Sequence, residues 1–283
     1  MKIPRVLFVK HCPNLSPERK IFLEKHLNER VPIEDVRWIE DYNHEHLFVQ
    51  WLNAKYNLPY GPKITSNFVK NLMIFKHMVD EKIESALIVD DDVTFHKDWV
   101  KYFESIPSVI EFNTFINLGT ASYFNIQPKV GQIHKLGNNG GCEGIWCSLD
   151  FATQFLSNLN MDEAIDIVWH GFLMSQGKHV LCMPLCHQTS GIEKVTTLDH
   201  DTRRTKNWIE YVRNYTTCPK LNFFKLLENF KKFEERKMKV EDKFEEIYGK
   251  RVNILNVKYL LNEEEEFQLN ILDYELIDDK VNI

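Results

Sequence analysis

Apolar residues along the first two thirds of the chain form short continuous runs, separated by stretches with helical spacing. Val6-Leu7-Phe8-Val9 is one such run; it closes in the polar pair Lys10-His11 and reads as a strand. Ser16-Pro17 then marks a helix start, with Ser16 as N-cap and Pro17 at the first helical position. Ile21, Phe22, Leu23 and Leu27 are the expected buried face of that helix. Residues 31 to 65 are rich in aromatics and interrupted by Pro32, Pro59, Gly61 and Pro62. They read as a strand near Val36 to Ile39 followed by a long functional excursion.

From Ser66 to Lys82 the positions Phe68, Leu72, Phe75, Val79 and Ile83 follow the helical period. Ala86-Leu87-Ile88-Val89 comes next and stops abruptly at Asp90-Asp91-Asp92. A run of that length bounded by charge suits a strand buried on both faces of a mainly parallel sheet. Further strands are expected at 114 to 118, 144 to 147 and 180 to 183. Helices are expected over 97 to 105, 149 to 159 and 166 to 176, the last stopped by Gly177. Alternation of strand and helix to about residue 190 predicts an α/β layer architecture.

After Pro219 the pattern changes. Phe223, Leu227, Phe230, Phe233, Val240, Phe244 and Ile247 lie along one long amphipathic helix, with Glu228/Lys232 and Glu235/Lys239 as i,i+4 pairs and Gly249 as its end. Residues 251 to 283 read as short β-segments around an acidic turn, Glu263 to Glu266. The chain therefore divides into a domain over 1–218 and an appendage over 219–283. The long helix either packs back on the domain, the preferred reading, or offers a surface for a homodimer.

Composition narrows the class. The 283 residues are 43% hydrophobic and 27% charged, an ordinary globular balance that excludes wholesale disorder. Thirty-five basic and 41 acidic residues leave a formal charge of -6, which argues against non-specific nucleic-acid binding. No apolar run approaches the roughly 18 residues of a transmembrane helix. The N-terminal residues lack the apolar core of a signal peptide. A cytoplasmic protein, peripheral to a membrane or virus-encoded, is the expectation. Six cysteines are then read as reduced, mostly buried thiols, and Cys182-x3-Cys186-His187 lacks the second pair that a zinc site needs.

The acidic run carries the chemistry. Three adjacent carboxylates repel one another, and a strand end is a costly place for them without a counter-cation. Hard divalent ions, Mn²⁺ or Mg²⁺, take carboxylate oxygens and keep positions for substrate phosphates. In open α/β sheets the ligand crevice lies beyond the carboxyl ends of the strands, where this cluster falls. A solvated acidic turn is the alternative reading.

Several segments, in order, resemble glycosyltransferase family 25, which includes lipooligosaccharide and collagen hydroxylysine galactosyltransferases. Lys70-Asn71-Leu72 leading to Ala86 through Val93 is similar to that family's helix and I-L-E-D-D-V strand end. Val6 to Val9 with Pro17-Glu18-Arg19 resembles its opening strand and helix start. Gly141 through Ser148 and Ala152 resembles its G-x-x-x-Y-L-I-S segment. Ile165-Asp166 with Leu173, and Met183-Pro184 through Gln188, resemble two later motifs. The chain departs at Asp90, where Glu is usual, and at Lys70-Asn71, where Ser-His is common. The match runs from residue 5 to about 200.

The resemblance implies a GT-A type nucleotide-sugar-binding domain and a metal-dependent, inverting hexosyl transfer. The donor would be a UDP-sugar, UDP-galactose or UDP-glucose, and the acceptor a hydroxyl on a glycan or protein. Asp90 and Asp92 would hold Mn²⁺ or Mg²⁺, and Asp91 would meet the donor sugar; His187, after a strand and Pro184, is read either as a further metal ligand or as a surface or hydrogen-bonded histidine. Asp166 is the candidate general base, its alternative being a helix N-cap. Lys10, His11 and Arg19 are candidates for the nucleotide, and Gly141 and Glu143 for the substrate; solvated loops and structural ion pairs are the competing readings. Asp199-His200-Asp201 with Arg203-Arg204 is a rival metal and diphosphate set. Trp38, Trp51 and Tyr60 would stack on a sugar or pack in the core. A non-catalytic nucleotide-sugar or glycan-binding relative is the second functional class.

Overall fold

The structure is a computed structural model that describes residues 1–14, 16–58, 60–107, 114–119, 131–136, 141, 143–188, 213–249, 252–254 and 274–276. In chain order the elements are β1 (Val6–Lys10), α1 (Pro17–Arg30), β2 (Asp35–Ile39), α2 (Leu47–Tyr56), α3 (Pro62–Glu81), β3 (Ser85–Asp90), β4 (Val93–Phe95) and α4 (Trp99–Glu104). There follow β5 (Phe115–Asn117), β6 (His134–Leu136), β7 (Gly144–Ser148), α5 (Leu149–Ser157), α6 (Ile165–Ser175), β8 (Val180–Cys182) and β9 (Cys186–Gln188). The last described elements are α7 (Phe223–Tyr248), β10 (Val252–Ile254) and β11 (Tyr274–Leu276).

Among the described residues, seven strands form one sheet in the order β2-β1-β3-β7-β5-β8-β6. β2, β1, β3, β5 and β8 run one way, while β7 and β6 oppose them, so the sheet is mixed and mainly parallel. The α/β architecture expected from the alternating pattern is therefore the observed one. Parallel strands covered on both faces read as continuous apolar runs, and every residue of β1 is buried.

Alternate side chains of β1 and β3 enter two separate cores. Val6, Phe8, Ala86 and Ile88 pack with α2, α3, α5 and α6 through Phe48, Phe75, Phe151 and Phe172. Leu7, Val9, Leu87 and Val89 face the other way, onto Leu23 and Leu27 of α1 and Trp99 and Phe103 of α4. Only this second pair of α1 residues is core: Ile21 and Phe22, expected to be buried, are exposed. A 14-residue helix packed on one face buries a stripe, and Leu23 and Leu27, one turn apart, define it.

Three other expectations change. The excursion after β2 contains α2, whose Phe48, Trp51, Leu52 and Tyr56 repeat at helical spacing between the prolines, and α3 begins at Pro62 rather than near Ser66. Ser16 does occupy the N-cap of α1, but its side chain makes no capping hydrogen bond. Strands β4, β6 and β9, each three residues long, carry too little pattern to be read in advance.

α7 packs back on the domain. Phe223, Leu226, Phe230 and Phe233 join the core that holds α2, with Phe230 4.8 Å from Phe48 and 5.4 Å from Trp51 between ring centroids. Each such buried aromatic contributes on the order of 2 to 3 kcal/mol. Gly249 caps the helix with φ of 68°, a left-handed conformation glycine adopts without strain. β10 and β11 pair antiparallel beyond it, while the acidic turn Glu263 to Glu266 lies outside the described residues. No described helix is long and apolar enough to cross a membrane.

Candidate functional site

The parallel register of β1 and β3 sets Lys10 beside Asp90. Partners across a ladder share a face, and the next residues take the opposite one. Lys10 and Asp90 accordingly lie on the α3 face. Lys10 Nζ is 2.8 Å from Asp90 Oδ1 and donates to Asn67 Oδ1 of α3 at 3.2 Å. One step further, His11 and Asp91 turn to the α1 face. His11 Nδ1 is 2.7 Å from Asp91 Oδ2, and Arg19 of α1 donates through Nη1 to Asp91 Oδ1 at 3.2 Å. Because a carboxylate only accepts, the proton of that contact sits on His11 Nδ1. The same Arg19 nitrogen is 3.6 Å from Asp92 Oδ2, an ion-pair distance beyond hydrogen-bond range.

The floor of this cluster is basic as well. Lys70 of α3, fully buried, donates to the carbonyls of His11 and Ile39 and so ties the ends of β1 and β2 together. Lys20 of α1 lies 4.9 Å above the Trp38 ring and pairs with Glu40 at 2.6 Å.

On the other side of β3 the neighbour is an acid. Asp90 N–H donates to the carbonyl of Glu143 at 3.0 Å, which extends the antiparallel β3–β7 pairing to Asp90 and Glu143. Glu143 is buried, and its carboxyl lies against Gly119. A Cβ on Gly119 would stand 2.3 Å from Glu143 Cδ and 2.6 Å from Oε1, so any other residue there would have to displace the Glu143 carboxyl. Loss of hydration, and then the charges of Asp90, Asp166 and Asp92, push the Glu143 carboxyl up to about 7. Asp90 is likewise pushed up to about 6 by loss of hydration, against the pull of Lys10 and with the charge of Asp92 adding to the rise.

Asp166 sits in the first turn of α6, but Ala164 is the N-cap, so the capping alternative for Asp166 does not describe it. Its Oδ2 instead accepts from Gly141 N–H at 2.8 Å. Gly141, at φ of 130°, is held from below by Asn117, which donates to its carbonyl at 3.0 Å and accepts from Gly119 N–H at 2.8 Å. One turn along α6, burial pushes the His170 imidazole down to about 4, with Asp166 opposing. Among the described residues, His170 Nδ1 has no hydrogen-bond partner.

The fold thus brings together Lys10, His11, Arg19, Asp90, Asp91 and Asp92, and joins Glu143, Gly141 and Asp166 to them from the β7 and α6 side. His187 stands apart from that set in one respect: it is on the exposed face of β9, paired with Thr94 of β4. Among the described residues no group of three or more His, Cys, Asp or Glu side chains is placed to hold a metal ion. Trp51 and Tyr60 are core residues, while Trp38 is half-buried beside His11. The rival set, Asp199 to Arg204, lies outside the described residues. Cys147, Cys182 and Cys186 are free and buried, as expected; Cys12 and Cys218 are free and half-buried. Asn67, Asn117 and Gly119 had no signal in the sequence, since each meets a partner distant along the chain; His170 had none either.

The donor set is chemically suited to a hard divalent ion. Such ions are often held by one or two carboxylates plus substrate phosphates, without a closed protein cage. Of the three acids here, Asp91 accepts from His11 and Arg19, Asp90 pairs with Lys10, and Asp92 lies within ion-pair distance of Arg19.

No protein-family model matches the chain, and no curated protein matches it. Solved structures to which it shows a distant similarity include the following two. One is A197 from STIV, 12% identical with a TM-score of 0.38 over 64% of this chain and 82% of that one. The other is a glycosyltransferase involved in glycosylation of the major capsid of PBCV-1, 11% identical with a TM-score of 0.30 over 53% of this chain and 62% of that one. Likeness at this level carries no functional argument, which rests on the site.

Proposed function

We propose that the protein is an inverting glycosyltransferase that moves a hexose from a UDP-sugar to a hydroxyl of a glycan or protein. The observation that supports this most is the charge pattern at the carboxyl ends of β1 and β3 and the amino end of the antiparallel β7. Lys10, Asp90 and Glu143 stand side by side there, with Asp92 beyond them and Asp166 on the adjoining helix. This is the edge of an open α/β sheet where ligands bind. A nucleoside diphosphate entering among so many carboxylates requires positive charge. Asp92 and Asp90 would hold Mn²⁺ or Mg²⁺ together with the donor phosphates, and the ion would offset charge on the leaving diphosphate.

The chain's own residues do the rest. Lys10 and Arg19 keep the acidic run compensated while the site is being filled. Asp166, oriented by the Gly141 N–H, takes the proton of the acceptor hydroxyl as the new bond forms. The apolar side of the first half of α7 is used by the core, so a homodimer through that helix forms no part of this reading.

A panel of nucleotide sugars, scored by thermal shift with and without Mn²⁺, tests donor binding. The matching pair should raise the melting point by mass action. Incubation with that donor should then release UDP slowly to water, and Asp166→Asn should lower transfer about 10²- to 10⁴-fold with donor binding retained. Binding without turnover would identify a non-catalytic relative instead. Release of inorganic phosphate would point to a phosphoryl hydrolase.

A further inference from the structure

Of the three consecutive acids, the middle one is turned away from the first. Strand alternation sends Asp90 to the α3 face and Asp91 to the α1 face. There Asp91 is almost wholly buried, and both carboxylate oxygens accept from the protein, Oδ2 from His11 and Oδ1 from Arg19. These two donors come from different elements, the residue after β1 and the first turn of α1. The clamp therefore ties the end of β3 to both. Arg19 Nη1 also stands 3.6 Å from Asp92 Oδ2, so one guanidinium spans the middle and last acids.

We infer that Asp91 is a positioning residue: through His11 and Arg19 it fixes the turn that presents Asp92 to a divalent cation and diphosphate. The sequence resemblance would have it touch the donor sugar, but its carboxylate is almost wholly buried and each of its oxygens already accepts from a protein donor. This inference rests on the transferase reading, because it presumes that Asp92 meets a metal–nucleotide complex. Groups that orient metal ligands from behind typically change metal affinity or activity by about 10- to 100-fold when altered. Lysine is not equivalent to Arg19 in this role, since its ammonium is a compact charge on a different stem and does not reproduce the guanidinium nitrogen that stands between Asp91 and Asp92.

The test is Mn²⁺ binding to the full chain in the presence of uridine diphosphate, read by the electron paramagnetic resonance of the ion. Wild type, Asp91→Asn, Arg19→Lys and Asp92→Asn are compared, with near-ultraviolet circular dichroism as a check on folding. Weakening of about 10- to 100-fold in both Asp91→Asn and Arg19→Lys is expected, with a folded spectrum and with Asp92→Asn far weaker than either. Should Asp91→Asn prove unfolded, Arg19→Lys alone decides. Affinities within twofold of wild type in the folded variants would overturn the positioning role and leave the transferase reading standing. A loss in Asp91→Asn equal to that in Asp92→Asn would make Asp91 a direct ligand. No Mn²⁺–uridine diphosphate binding by wild type would overturn both readings.

Discussion

The two flanks of Asp90 handle charge in opposite ways. Toward β1 and α1, Lys10, His11 and Arg19 meet the acidic run side chain to side chain, at 2.7 to 3.2 Å for the hydrogen-bonded and closest ion-paired contacts. Toward β7 and α6, the neighbour across the ladder is another carboxyl, and Asp166 is held by a backbone N–H rather than a cation. One flank neutralises by pairing. On the other, loss of hydration and the neighbouring carboxylates push Glu143 up, which favours its neutral form. Like charges directly opposite in a sheet destabilise it, so this arrangement carries a cost to the fold.

Replacing Lys10 should disturb this balance most. Lys10→Met leaves Asp90 beside Glu143 with no ammonium, and removing one partner of a buried pair costs about 3 to 5 kcal/mol. Chemical denaturation at neutral pH measures it; a loss below about 1 kcal/mol would mean the pair is solvated in practice.

Glu143 should show the reverse sign. Its folded carboxyl is raised from 4.5 to about 7, so the folded state holds more protons than the unfolded chain between those values. Stability from this group is full below 4.5 and is lost as pH rises through about 7, amounting to roughly 3 kcal/mol. Glu143→Gln should flatten that decline in chelator-treated protein and be more stable than wild type at pH 8. An unchanged pH profile would show that Glu143 is ionised normally.

Gly119→Ala tests the wall behind Glu143. The added methyl collides with the carboxyl, and overpacking of this kind costs about 1 to 3 kcal/mol. In Glu143→Ala the same methyl should be tolerated, and additivity of the two changes would argue against their contact. The smallest effect is expected at Lys20→Ala, where the pair with Glu40 is about one third exposed and worth less than about 1 kcal/mol.

Much of the first flank was legible in the chain. Lys10-His11 and Asp90-Asp91-Asp92 each end a continuous apolar run, and Pro17-Glu18-Arg19 opens a helix. The second flank was only half legible. Gly141, Glu143 and Asp166 came from a resemblance, without any indication that Glu143 would neighbour Asp90 or that Asp166 would bind Gly141 N–H. α2 was missed because its helical spacing is short and enclosed by prolines, and Ile21 and Phe22 misled because apolar residues on a helix are not all on its buried stripe.

Local periodicity by itself determined the alternating strands and helices, the mainly parallel α/β class and the places where apolar runs give way to charge. Those features depend on residues close along the chain, and the 2-residue and roughly 3.6-residue periods report them directly. Which carboxylate faces which cation was decided only by the tertiary structure. Register sets Lys10 against Asp90 and Glu143 on its far side, and pleating sends Asp91 to Arg19. Such pairings join residues 53 to 80 positions apart, and no pattern within a single run encodes the strand order that brings them together.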